Sequence, residues 1–233
     1  MSKDSILYTK VKDRINTLQY SQLIMKKPKS VKTLENFGRV RLSESFYMRD
    51  FLYSEISNIN GIQNIPDNPD VAIEACSNLC QELLEPLNST FGRISIFSGY
   101  RSPEVNQFGN ENKLNCASNQ SNYAGHIFDY KDADGALGAT VSVVIPWFAD
   151  HYEAGKSWQD LAWWIHDHLP HCGLYFFPSL AAFNITWHET NKAKTIQSYI
   201  PPKGYLTKPS MSNYAGDHSM HYTYFPELKY SSQ

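Results

Sequence analysis

The chain has 233 residues, 42 % of them hydrophobic and 19 % charged, with a formal net charge of −2. That composition fits one large globular domain, or one domain with arms, and the charge argues against a general electrostatic grip on nucleic acid or anionic membrane. Met1 to Lys12 lacks the apolar stretch of a secretory signal, and no run approaches the roughly 18 apolar residues of a membrane helix, so synthesis in the cytoplasm and no membrane span are expected. The aromatic share of 14 %, with 15 tyrosines, suits either a broad contact surface or a large aromatic core.

Residues 1–42 form a polar, Lys-rich stretch that includes Lys3, Lys10, Lys12 and Arg14. It reads as a basic N-terminal arm with a short helix from Asp4 to Leu18, its charges solvated or used for binding. Residues 43–57 read as a helix with Ser43 or Ser45 as N-cap. A loop rich in Gly, Asn and Pro follows to Pro69. Asp70 then caps a helix whose apolar positions, among them Val71, Ile73, Leu79, Leu83 and Leu87, recur at helical spacing. The run Arg93 to Phe97 is a β-type segment that leads into Ser98, Gly99, Tyr100 and Arg101. A strand ending in Gly and then presenting Tyr and Arg marks the edge of a site, and the guanidinium fork suits a carboxylate. A structural turn with Arg101 in a local ion pair is the plain alternative.

Asn106 to Ser121 reads as a surface excursion. Gly125–Tyr130 and Thr140–Ile145 are expected strands, and Trp158–Leu169 a helix capped by Ser157, with His166, His168 and His171 as ordinary C-terminal capping. Leu174–Phe177 and Phe183–Trp187 are further strands. Pro201, Pro202, Gly204, Pro209 and Gly216 make 199–233 an irregular Pro-rich C-terminal arm lying on the domain or on a neighbour. The whole predicts an α+β fold, an antiparallel sheet flanked by helices, with the main domain at 43–198. The four cysteines, Cys76, Cys80, Cys116 and Cys172, lack the paired spacing of a structural zinc site and read as reduced thiols.

Ser98-Gly99-Tyr100-Arg101-Ser102-Pro103 followed by Asn106, with the upstream segments Phe46–Phe51, Gly61–Pro66 and Leu79–Leu87, resembles the zinc D-alanyl-D-alanine carboxypeptidase family, which shares its fold with the hedgehog signalling domain. The resemblance covers residues 43 to 190. It implies that fold, and a substrate shelf made by Ser98, Tyr100, Arg101 and Asn106 on which Arg101 holds a terminal carboxylate. It also implies a zinc held by a His, a downstream Asp and a distant His, three ligands that leave a position open for an activated water. Gly125 and Asp129 match that pattern. The first His position is Asn122 and the second is Asn184 or Ile185, and amide or aliphatic groups suit zinc poorly. A shifted set of His126, Asp129 and His188, with Glu189 as base, is the alternative. The plainer reading makes His126 a hydrogen-bonded partner of Asp129.

Three functions follow. The first is a non-catalytic carboxypeptidase-like domain, without cofactor, serving as a structural or recognition module among protein neighbours in a larger assembly; by family analogy that assembly is a phage virion or tail. The second is an active zinc metallopeptidase cleaving peptidoglycan peptides through the shifted ligands. A binding-only role, capture of a peptide carboxylate by Arg101, is a third.

Overall fold

The computed structural model describes residues 25–190 and 192–229, so the helix expected from Asp4 to Leu18 lies outside the described residues. Helix α1 (Val31–Gly38) opens on a capping box in which Ser30 accepts from the Thr33 N–H and Thr33 answers the Ser30 N–H, and it buries Phe37. The helix expected over 43–57 is replaced by a tight loop, a short 3-10 turn (Met48–Phe51) and α2 (Glu55–Asn60). The reason lies in Glu85. Its buried carboxylate accepts from the Ser43 hydroxyl at 2.7 Å and from the Ser45 N–H and hydroxyl at 2.5 and 2.9 Å. These serines therefore satisfy a buried charge instead of capping a helix.

The N-cap position of helix α3 (Pro69–Leu79) is Asn68, whose side chain makes no capping bond, while Asp70, expected as the cap, sits in the first turn and accepts the Met25 N–H. The helix then widens into a π turn over Cys80–Leu84 before α4 (Glu85–Phe91). There the Glu85 N–H reaches the Cys80 carbonyl, one residue further back than in an α-helix, next to Pro86, which has no N–H to give. Of the apolar face predicted from spacing, Ala75, Leu79, Leu83, Leu84 and Leu87 are buried, while Val71 and Ile73 are half-buried at its edge. It packs on the sheet.

The sheet contains β1 (Ser95–Ser98), β2 (Gly138–Val144), β3 (Gly173–Phe176), β4 (Phe183–His188), β5 (Ile196–Ser198) and β6 (Gly204–Thr207), in the order β1-β2-β4-β3-β5-β6. Helices α5 (Pro103–Glu111) and α6 (Asn119–Asn122) follow β1; α7 (Pro146–Glu153) and α8 (Trp158–His168) lie between β2 and β3. The fold is α+β, but the sheet is mixed, not wholly antiparallel. After the β3–β4 hairpin the chain crosses back to the starting end of β3, so β5 runs parallel to it while every other pairing is antiparallel. No helix among the described residues is long and apolar enough to cross a membrane.

Three further segments differ from expectation. Pro103–Glu111 is a helix capped by Ser102 with Asn106 buried, so the stretch from Asn106 is not simply a surface excursion. Gly125–Tyr130 is a series of turns, because its N–H groups pair locally, Gly125 to the Asn122 carbonyl and Ile127 to the same oxygen. Residues 199–229 are not irregular throughout, since they contribute β6, but beyond it they lie on the domain as expected, along α8: His218 stacks on Trp163 at 3.9 Å, and Phe225 packs edge-on to Phe91 and Trp147. Phe225 is half-buried, so Phe225→Ala should cost about 2 kcal/mol, below the usual range for a fully buried Phe. A urea midpoint unchanged by that substitution would show that this packing does not stabilise the domain.

Candidate functional site

The site begins where β1 ends. The Tyr100 N–H donates to the Phe51 carbonyl at 2.8 Å, and the Arg101 N–H donates to the His126 carbonyl at 2.9 Å. The Asn64 side chain clamps the same turn, donating to the Tyr100 carbonyl at 2.8 Å and accepting from the Ser102 N–H at 2.7 Å. These bonds send Tyr100 into the core and Arg101 into a cleft of about 810 Å³. The polar floor of the cleft is Ser98, Arg101, His126, Ser142 and Asn184. Tyr175, Phe177 and Tyr199 form an aromatic wall, and Ile56, Ile59 and Leu114 face it from α2 and the loop after α5.

Arg101 donates from Nη1 to the Cys116 thiol at 2.7 Å and weakly to Asn106 Oδ1 at 3.4 Å. Its Nε is buried without a partner, and among the described residues no carboxylate pairs with it. The local ion pair considered from the sequence is therefore not what the fold builds. A guanidinium lining a cleft with no carboxylate beside it can receive an anion there.

His126 is 6 % exposed. Its Nδ1 lies 3.1 Å from the Gly99 carbonyl, and burial, then the nearby Arg101 charge, lower the ring to about 3. It does not hydrogen-bond Asp129, as the sequence suggested. Asp129 Oδ2 instead accepts the N–H groups of Asp67 and Asn68 at 2.7 and 3.2 Å, at the start of α3. Burial raises the Asp129 carboxyl in spite of those bonds, and burial together with that carboxylate raises the neighbouring Tyr100 phenol. Tyr100 and Asp129 thus support the cleft from behind and do not line it.

The amides expected at metal positions are both engaged within the protein. Asn122 donates to Asn106 Oδ1 at 3.1 Å, and Asn106 donates to Asn119 Oδ1 at 2.8 Å and to the Ala117 carbonyl. Of Asn184 and Ile185, Asn184 faces the cleft and accepts from the Ser142 hydroxyl on the paired strand, while Ile185 is wholly buried, as the two-residue period of a strand requires.

The shifted set is not brought together. His188 lies at the far end of β4, bonded through Nε2 to Asp132 at 3.0 Å, and its Nδ1 accepts from Thr190. Glu189 accepts the Leu137 N–H at 2.8 Å, closing the end of the β2–β4 pair, and is no base for the cleft. Among the described residues no three His, Cys, Asp or Glu side chains converge as a metal would need. The positions the resemblance singles out hold two neutral amides and Asp129, whose Oδ2 accepts two backbone N–H groups while Oδ1 is unpartnered; one carboxylate with two amides does not make a donor set that suits zinc.

The aromatic wall and Cys116 escaped sequence reading, because their neighbours in space are remote in sequence. Ser142 had a local signal: it is the one polar residue in the Val141–Ile145 run. Comparison with family models, curated proteins and solved structures finds no match.

Proposed function

We propose that the chain is a non-catalytic relative of the zinc D-alanyl-D-alanine carboxypeptidases that works as a recognition module, holding the C-terminal carboxylate of a peptide on Arg101. The observation that carries this reading is the guanidinium in the cleft, supported by Cys116 and Asn106 yet without a carboxylate partner among the described residues. The peptide chain then runs along the apolar and aromatic sides, and the amides at 122 and 184 leave it intact.

Calorimetry with acetyl-D-Ala-D-Ala tests it. Loss of a charge-assisted hydrogen bond predicts roughly 10- to 100-fold weaker binding for Arg101→Ala, and a similar loss when the peptide carboxylate is amidated. Arg101→Lys should recover part of the affinity, since it keeps the charge but not the fork. Equal affinity of wild type and Arg101→Ala, or no binding by either, would sink the proposal. Stoichiometric zinc in the purified protein would overturn its non-catalytic part.

A further inference from the structure

The cleft holds a second polar group whose partner is missing from the protein. The Gly99 carbonyl can only accept, so Nδ1 of His126 carries the ring proton and Nε2 is left with a bare lone pair. The ring is more than nine-tenths buried and lines the cleft, and no group among the described residues donates to Nε2. Nε2 is therefore an acceptor on the cleft side of a ring otherwise enclosed by protein, where a ligand donor can pair with it.

We infer that His126 Nε2 accepts a hydrogen bond from the amide N–H of the ligand's C-terminal residue while Arg101 holds that residue's carboxylate. The inference rests on the carboxylate reading of Arg101 and specifies what must stand next to the carboxylate. Three observations select this donor. In a peptide the last N–H and the carboxylate are separated by one Cα, so they reach two neighbouring protein groups. Arg101 and His126 are such neighbours, joined through the Arg101 N–H and the His126 carbonyl at 2.9 Å, and the guanidinium is close enough to oppose protonation of the ring. A cationic donor is disfavoured beside that charge, so a neutral N–H is the matching group. The Ser142 hydroxyl on the cleft floor is already committed to Asn184, and Glu55 lies on the exposed rim. The Ser98 hydroxyl on the same floor can donate as well as accept, so His126 Nε2, which in this tautomer can only accept, is the group beside Arg101 that calls for a donor.

The test compares acetyl-D-Ala-D-Ala with acetyl-D-Ala-D-lactate, in which an ester oxygen replaces the N–H and everything else is kept. Wild type should bind the ester at least roughly tenfold more weakly. His126→Asn retains an amide donor near the Nδ1 position but has no atom at Nε2, and it should bind both ligands within about twofold of each other. His126→Gln, which places an acceptor near Nε2, should restore part of the preference. Equal binding of the two ligands by wild type, with Arg101→Ala still impaired, overturns the inference and leaves the carboxylate reading standing. A preference that persists in His126→Asn also overturns it. No binding of acetyl-D-Ala-D-Ala by wild type removes both. The comparison of ligands on wild type decides the matter even where a variant does not fold.

Discussion

Gly99→Ala should lower the stability of the domain by about 3 kcal/mol, the upper part of the usual range for forcing extra volume into packed structure. A Cβ at that position would lie 2.6 Å from the Phe51 carbonyl oxygen and 2.8 Å from its Cα. Those are backbone atoms of a fully buried residue, so they cannot swing aside as the tip of a side chain would. Relief requires the end of β1 to move off, which stretches the Tyr100-to-Phe51 hydrogen bond and drags Arg101 away from the His126 carbonyl. Peptide binding should therefore fall with stability. For a chain of this length the melting temperature should drop by about 6–12 °C. Gly61 is the control. It ends α2 at φ +66°, and a Cβ added there would have no atom within 4 Å, so Ala meets only left-handed strain of about 1 kcal/mol. If Gly99→Ala melts within about 2 °C of wild type, β1 is not held against Phe51 as described.

That strand end was also where the sequence spoke most clearly. A β-type run closing on Ser-Gly-Tyr-Arg marked a site edge, and Arg101 does reach a cleft. The elements with strong local signals were legible for the same kind of reason: the apolar stripe of α3, the Ser157 cap of α8, and the β-branched run of β2 each satisfy a periodicity that neighbours along the chain can enforce. What was hidden depends on groups distant in sequence. Ser43 and Ser45 look like helix caps until a buried Glu85 claims them from about forty residues away. His126 stands three residues before Asp129, which suggested a pair, but Gly99 and the start of α3 compete for the two side chains and win. The parallel placement of β5 depends on where a loop recrosses the sheet, which strand composition does not encode.

Acid should destabilise the protein well above the range in which carboxylates titrate, because the fold buries imidazoles in their neutral form. His171 is 1 % exposed with both ring nitrogens unpartnered; burial, then the charges of Lys194 and His166, hold it well below its ordinary value. His166 is lowered by burial and by Lys194, against the Tyr214 carbonyl and Asp167, which favour its charged form. Neither ring is the exposed helix cap its position suggested. His126 in the cleft is lowered to about 3. For a base whose folded value lies below its unfolded value near 6.5, the unfolded state binds more protons. Stability is then fully present above pH 6.5 and is lost as pH falls toward the folded value. Between pH 6.5 and 5 the His126 contribution alone is on the order of 2 kcal/mol, and His171 and His166 act in the same direction. Asp129 opposes them, since its raised carboxyl is relieved by protonation, but it is one group against three rings. The urea midpoint should therefore fall steadily from pH 7 to pH 5. His171→Leu, which replaces an unsatisfied buried ring by an apolar side chain, should flatten that slope without loss of stability at pH 7. A midpoint that stays level or rises between pH 7 and 5 would mean that these rings are not held neutral by the fold.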